Sequence, residues 1–180
     1  IAVRPNGTSD NAYENVDFTI DAEFATFCRR KFGIDLPLGK RNIFEVFNYI
    51  AAHGGPVVVF YDYTKIRRNW AECKRLGYHI TFSFDGWDNA ANLKLCRQAL
   101  SHGVNVAAAF DTKRKDELPL YVSACRLDPA WFGRVLNVVD GDLSDYRPAD
   151  GYTGSIIGLR FKLPHGINYT SEDRSAFCIG

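Results

Sequence analysis

Short apolar runs alternate with amphipathic segments along the whole chain, and this alternation constrains the fold more than any other feature. Six runs rich in β-branched and aromatic residues are predicted to be strands: residues 1–4, 57–63, 78–84, 104–110, 134–139 and 155–161. Alternating strands and helices are typical of a parallel sheet that helices cover. Because the runs are apolar on successive residues, we expect strands that are buried on both faces.

The segments between these strands have the spacing of helices. Residues 22–32, 42–53 and 69–76 are predicted helices, and a fourth helix extends to His102. Asn69 is the predicted N-cap of the third helix, which stops before Gly77. Asp88 or Asn89 is the predicted cap of the fourth helix.

The number of strand–helix units separates a closed barrel from an open sheet. Six units in 180 residues fall short of the eight that close a standard barrel in about 250 residues. The sequence therefore predicts an α/β fold with a mainly parallel sheet, in the form of an open or partial (βα) barrel. A doubly wound open sheet is the alternative, since both architectures alternate strand and helix. With 46% hydrophobic residues, the chain is expected to form one domain over residues 1–180.

Charge and composition argue against several classes of function. The chain has 22 Lys and Arg residues against 21 Asp and Glu residues, so no long-range basic field attracts nucleic acid or an anionic membrane. No apolar stretch approaches the roughly 20 residues of a membrane span. The five cysteines form no Cys-x-x-Cys pair, and Cys73 and Cys96 are expected in the core. These features predict a soluble, cytoplasmic protein.

The first residues have the character of an interior strand. The chain contains no Met and begins with Ile1-Ala2-Val3, so we expect an upstream segment of the same protein. An edge strand with unpaired N–H and C=O groups is normally covered or paired. The predicted partner is therefore that upstream segment or a second copy of the chain. The alternative is that residues 176–179, which have strand character, cover the edge.

Polar residues follow each predicted strand, where α/β proteins build their sites. The carboxyl ends of parallel strands share one edge of a sheet, so we expect these side chains to converge. The predicted catalytic residues are Asp62, Lys65, Ser83 and Asp140. The predicted substrate- or cofactor-binding residues are Asn6, Thr8, Asp10, Asp85, Arg160 and Lys162. Each residue taken singly also suits a helix cap or an Asx turn, so convergence is the functional signal.

The densest group of carboxylates, Asp140, Asp142 and Asp145, starts where the strand over residues 134–139 stops. Carboxylates close enough to repel need a cation or shared protons, and oxygen ligands suit Mg²⁺ or Mn²⁺. The sequence therefore predicts a divalent metal site at these three residues. Two alternatives stay open: Arg160 neutralises the carboxylates, or Asp145 pairs with Arg147.

Six motifs, spread over nearly the whole chain, together resemble those of a known protein family. They are Asn6-Gly7-Thr8-Ser9-Asp10, residues 60–65, residues 78–83, residues 103–107, Val139-Asp140-Gly141-Asp142 and residues 158–160. In this order they resemble a family of phage-encoded proteins, the gene product 88-like group. The resemblance implies a phage origin, and therefore a place in the host cytoplasm or the virion. It also implies a Cys-containing region upstream of Ile1.

Two turns have a second likeness. The turn Asn6-Gly7-Thr8-Ser9-Asp10 and the segment Ser83-Phe84-Asp85-Gly86 are similar to a turn after the second strand and a segment at the end of the fourth strand in the partial barrels of radical S-adenosylmethionine enzymes. This resemblance implies S-adenosylmethionine as a cofactor. The chain departs from that family because it lacks the Glu of the first turn and the Cys triplet that holds a [4Fe–4S] cluster.

Three classes of function stay open at this point. The first is a barrel-like phage enzyme related to the radical S-adenosylmethionine barrels. The second is a metal-dependent enzyme that acts on a phosphorylated or nucleotide substrate through the Asp140 group. The third is a non-catalytic virion or host-interaction protein, because a polar rim that binds a small molecule need not react with it.

Overall fold

The computed structural model describes residues 1–7, 9–113, 115–162 and 170–179. Its strands are β1 (Ala2–Val3), β2 (Asp17–Ile20), β3 (Gly39–Asn42), β4 (Val59–Thr64), β5 (Tyr78–Ser83), β6 (Val106–Phe110), β7 (Tyr121–Ser123), β8 (Val135–Asp140) and β9 (Ile156–Arg160). Its α-helices are α1 (Ala22–Phe32), α2 (Ile43–Ala52), α3 (Trp70–Leu76), α4 (Ala90–Ser101) and α5 (Ser171–Phe177).

Seven strands form one open, mostly parallel sheet in the order β1-β4-β5-β6-β9-β8-β7. Strand β6 is parallel to β5 and β9, and β8 is parallel to β9, whereas β7 runs antiparallel to β8. The predicted α/β fold with an open, mainly parallel sheet is confirmed. The sequential strand order of a (βα) barrel stops at β6, because β9 lies between β6 and β8.

The chain divides into two compact units. The first unit comprises Ile1–Asp62 and Arg68–His79, and the second comprises Tyr63–Arg67 and Ile80–Gly180. The expectation of a single domain over the whole chain stays a prediction.

In the first unit, α1 and α2 pack on a separate antiparallel pair formed by β2 and β3. Their shared core contains Ile20, Cys28, Ile34, Leu36, Val46 and Ile50. Helix α1 begins after Asp21, whose carboxylate accepts a hydrogen bond from the Phe24 N–H, and ends at Gly33 with φ of 70°. That left-handed conformation favours glycine and stops the helix.

In the second unit, β6 and β9 lie deep in the core. Val106, Ala108, Ile156 and Ile157 are almost completely buried, as expected for strands covered on both faces. Cys96 of α4 also lies in this core, and burial raises the pKa of its thiol to about 12. The thiol is therefore neutral at physiological pH, and the prediction of a core cysteine is confirmed.

The predicted helix caps are largely confirmed. Asn69 caps α3 by accepting from the Glu72 N–H, and Gly77 ends that helix with φ of 70°. Asn89, not Asp88, caps α4. Both Asn side chains accept from the backbone N–H three residues later, which satisfies a donor that the helix leaves open.

The strand character predicted for residues 176–179 is wrong at its start. Ala176 lies in α5, because Thr170 and Asp173 form a capping box that starts a helix. After the helix, the N–H of Ile179 donates to the C=O of Ala109 in β6. The tail is therefore bonded to β6, and the pairing of β1 with an upstream segment or a second copy stays a prediction.

Gly158 in β9 provides a test of core packing. A Cβ at this position would lie 2.9 Å from Leu118 Cδ1, 2.9 Å from Val138 Cγ1 and 3.1 Å from Phe110 Cε2. We expect Gly158→Ala to lower the free energy of unfolding by about 1–3 kcal/mol through overpacking. Urea unfolding followed by circular dichroism measures the change.

The control for this prediction is Gly7→Ala, because a Cβ on Gly7 meets no atom within 4 Å. We expect it to change stability by no more than about 0.5 kcal/mol. Equal stability of Gly158→Ala and the wild type would contradict the close packing around β9.

Candidate functional site

Asp62, a predicted catalytic residue, is completely buried inside β4 in the first unit. The Tyr78 O–H donates to its carboxylate at 2.6 Å, and the backbone N–H of Asn6 donates at 3.0 Å. Burial raises the pKa of Asp62, although Tyr78, Asn6 and the nearby Arg4 all favour the charged form. Asp62 has no exposed surface, and its bond to the Asn6 N–H holds the chain that follows β1 in place.

The predicted binding residues Asn6 and Asp10 belong to the same ordered loop. The Asn6 Oδ1 accepts from the Asn11 N–H at 2.9 Å and from the Ser9 hydroxyl at 3.0 Å. Asp10 lies 2.7 Å from the buried Arg68 guanidinium. Thr8, the third predicted binding residue in this segment, lies outside the described residues.

Arg68 is the cation at the centre of this network, and no pattern in the sequence predicted its role. Its guanidinium also donates to the buried carboxylate of Glu14 at 3.1 Å and to the C=O of Asn11. Two carboxylates and a carbonyl thus satisfy a side chain with no exposed surface. Breaking such a buried network leaves uncompensated charge, so these contacts stabilise the loop.

Four predicted site residues of the second unit meet at the carboxyl ends of β8 and β9. Arg160 holds the Asp140 carboxylate through two contacts, from Nη1 and from Nη2, each at 2.9 Å. Asp142 accepts from the backbone N–H of Arg160 at 2.9 Å and lies 3.2 Å from Lys162 Nζ. They line a cavity of about 530 Å³ with Leu143 and Phe161.

The charges of this group compensate each other. The Arg160 guanidinium holds the pKa of Asp140 below its ordinary value. Burial opposes ionisation of Asp142, but the N–H of Arg160 and the ammonium of Lys162 outweigh it, so the pKa of Asp142 is also lowered. Both carboxylates are therefore ionised and neutralised at physiological pH.

The structure does not assemble the predicted metal site. Among the described residues, no group of three His, Cys, Asp or Glu side chains is arranged to hold a metal ion. Arg160 supplies the positive charge that a cation would otherwise provide. Asp145 is exposed, and the side chain of Arg147 pairs with Asp150 at 3.2 Å and not with Asp145.

The other predicted residues form a third small group near the end of β5. Lys65 forms an ion pair with Asp85. Asn92 ties this turn to α4, because its amide donates to the C=O of Ser83 at 3.0 Å and accepts from the Asp85 N–H at 2.9 Å. The buried Asn92 side chain therefore holds the turn in place, which gives these residues a structural role.

A cleft lies at the carboxyl ends of β5 and β6, at the edge of the sheet where the sequence predicted a site, but none of the predicted site residues that the structure describes lines it. Two cavities, of about 350 and 470 Å³, share Pro119 and Ile179 as lining residues. We call them together the strand-end cleft. The smaller, apolar half is lined by Trp87, Tyr121, Val122, Arg126 and Leu127. The larger half also contains Phe110 and Cys178, and we call it the polar half for its side chains Asp111, Thr112, Ser171, Arg174 and Ser175.

Trp87 is fixed in the wall of this cleft. Its indole Nε1–H donates to the C=O of Cys178 at 2.8 Å, and its backbone N–H donates to the C=O of Ala176 at 2.7 Å. The guanidinium carbon of Arg126 lies 4.1 Å from the centre of the indole ring. The stack gives the apolar half a flat, rigid surface.

Comparison with known proteins places the chain in a family. A family model described as gene product 88 matches residues 41–180. The chain belongs to the gene product 88 family. No curated protein and no solved structure matches it.

Membership in this phage-type family confirms the resemblance given by the sequence motifs. The motif over residues 6–10 lies before the matched residues. The likeness to radical S-adenosylmethionine enzymes is not supported. No helix in the described parts of the chain is long and apolar enough to cross a membrane.

The Tyr78–Asp62 hydrogen bond leads to a prediction about stability. Tyr78→Phe removes a donor from a buried carboxylate, so we expect the free energy of unfolding to fall by about 1–3 kcal/mol at pH 7. The pKa of Asp62 is already raised, and it should rise further in the variant. The loss should therefore be larger above the folded-state pKa of Asp62, where the carboxylate is charged, than below it, where the carboxyl is neutral.

Urea unfolding at pH 7 and at about pH 4 measures this difference. Tyr49→Phe in the same unit is the control, because Tyr49 is half-buried and its ring stacks on His53. A loss for Tyr78→Phe no greater than that for Tyr49→Phe would contradict the role of the hydroxyl.

The Arg160 contacts lead to a second prediction about the pH dependence of stability. The pKa values of Asp140 and Asp142 are lowered in the folded state, so their contribution to stability is present above about pH 4 and is lost as the pH falls through the folded-state pKa. We expect Arg160→Met to destabilise the protein more at pH 7 than at pH 3.

The comparison variant is Lys162→Met, since the Lys162 side chain is mostly exposed and makes one contact of 3.2 Å with Asp142. Chemical unfolding at both pH values should show a smaller effect for this variant. If the two substitutions have equal effects at pH 7, Arg160 is not the main neutralising group.

Proposed function

We propose that this protein binds a small organic molecule in the strand-end cleft of its second unit. The observation that carries the proposal is that two cavities of different lining lie side by side and share Pro119 and Ile179. Both cavities have volumes typical of ligand pockets. Loops at the carboxyl ends of parallel strands are also the usual place for ligands in α/β sheets.

The lining of the cleft supports a ligand with two chemically different ends. Leu127 and Ile179 are buried, and they give the apolar half an interior-like floor beside Trp87. In the polar half, Arg174 lies 3.1 Å from Asp111, and both side chains are partly exposed. A molecule with an apolar body and a polar end would satisfy both halves at once.

The proposal concerns binding and includes no catalytic step. Cys178 lines the polar half, but burial raises the pKa of its thiol, so this sulfur is not an activated nucleophile. A metal-dependent reaction at Asp140 has less support than binding in the cleft. Arg160 and Lys162 already neutralise the carboxylates that a metal ion would need. Binding without reaction belongs to the third class that the sequence left open.

The test uses 6-propionyl-2-dimethylaminonaphthalene, an uncharged fluorescent molecule with an apolar ring system and one polar end. We expect saturable binding with about one molecule per chain. Val122→Glu places a charge in the apolar half, so it should weaken binding at least tenfold, or by about 1.4 kcal/mol. Ser123→Trp, which fills the same half from an exposed position, is the second variant if Val122→Glu does not fold.

The matched control is Val135→Glu. Val135 is 60% exposed and pairs with Ser123 across the β7–β8 hairpin, but it does not line the cleft. This substitution should leave the dissociation constant within twofold of the wild-type value. Loss of binding in Val135→Glu together with normal binding in both cleft variants would place the dye elsewhere and contradict the proposal.

A further inference from the structure

The polar half of the strand-end cleft carries two opposite charges that cancel. Asp111 and Arg174 form an ion pair in which Arg174 Nη1 lies 3.1 Å from Asp111 Oδ1. A phosphate or carboxylate on Arg174 would lie close to the Asp111 carboxylate, and an ammonium on Asp111 would lie close to Arg174. Each ionic ligand would meet a like charge, which weakens its binding. The pair therefore favours an uncharged ligand group.

The same half offers several hydrogen-bonding groups of the kind that recognise hydroxyls. Thr112, Ser171 and Ser175 line it beside the ion pair. Carboxylate oxygens accept from hydroxyl groups, guanidinium N–H groups donate to them, and side-chain hydroxyls do both. A group with several hydroxyls, such as a sugar ring, can donate to Asp111 and accept from Arg174 while the ion pair stays intact.

The apolar half favours a flat ring over a flexible aliphatic chain. Phe84 contacts Trp87 edge to face, with ring centres 5.0 Å apart, and the exposed Arg126 covers another part of the indole. A guanidinium and an indole are both planar, and planar groups stack on aromatic rings. A planar ligand ring extends this arrangement at low entropic cost.

We infer that the ligand of the strand-end cleft is an uncharged molecule in which a planar aromatic ring is joined to a group with several hydroxyls. Nucleosides and aryl glycosides share this chemistry. The inference rests on the proposed function and names its ligand class. The ring occupies the half with Trp87 and Arg126, and the hydroxyl groups occupy the half with Asp111 and Arg174.

Isothermal titration with four compounds tests the ligand class and separates its two sources. Uridine and phenyl β-D-glucopyranoside represent nucleosides and aryl glycosides, phenol lacks the sugar, and uridine 5′-monophosphate adds a phosphate. At least one of the first two should bind ten times more tightly than phenol. Uridine 5′-monophosphate should bind no more tightly than uridine. The tighter of uridine and the glucoside identifies the source.

Asp111→Asn tests the role of the ion pair. It removes the negative charge and leaves Arg174 uncompensated, so the preference should shift at least fivefold toward uridine 5′-monophosphate over uridine. Asp88→Asn is the control, because Asp88 is exposed in the same unit and does not line the cleft. The control should keep the wild-type preference.

Two results would overturn the inference. One is wild-type binding of uridine 5′-monophosphate at least ten times tighter than binding of uridine. The other is failure of uridine and the glucoside to displace the dye while the dye still binds in a manner sensitive to Val122→Glu. The second result leaves the proposed function intact, whereas dye binding that is insensitive to both cleft variants contradicts the proposed function itself.

Discussion

The parallel pairing of β6 with β9 organises the second unit. It runs over five residues, from Val106 opposite Ile156 to Phe110 opposite Arg160. The pairing fixes Arg160 at one edge of the sheet, and the neighbouring pairing of β8 with β9 delivers Asp140 to the same edge. The salt bridge between these residues is thus a consequence of strand register.

A difference in strand length determines where the tail binds. Strand β5 ends at Ser83, which pairs with Ala107, so β6 continues for three residues beyond that level. A backbone C=O left without a partner in a buried region is unfavourable. Ile179 supplies the missing N–H to Ala109, and this bond brings the end of α5 to the strand-end cleft.

Local patterns in the sequence predicted most of the larger elements but not the small antiparallel ones. The six predicted strands correspond to β1, β4, β5, β6, β8 and β9, because those segments are apolar on successive residues. Strand β3 was missed because its first three residues, Gly39, Lys40 and Arg41, are exposed and have no apolar alternation. Strand β7 is only three residues long, too short for periodicity to identify it.

The candidate site could be predicted only in part, since its contacts join distant segments. The polar residues after β8 and β9 were identified, but the preference of Asp140 for Arg160 over a metal depends on the register of two strands. The sequence indicated the edge of the sheet at which the strand-end cleft lies, but none of the predicted site residues in the described part of the chain lines the cleft. Trp87 has the character of a core residue, and its cleft neighbours Arg126 and Ile179 lie far away in the chain.

The anchoring of Trp87 by the tail has a thermodynamic consequence. The C=O of Cys178 accepts from the indole N–H of Trp87, and the C=O of Ala176 accepts from its backbone N–H. Ile179 lines both halves of the cleft. A molecule bound in the cleft would therefore contact the sheet and the docked tail together. Linkage is reciprocal. If the docked tail raises the affinity for the molecule by some factor, the bound molecule raises the docking equilibrium constant of the tail by the same factor. Protection of the backbone amides of α5 from hydrogen exchange is then a measure of cleft occupancy.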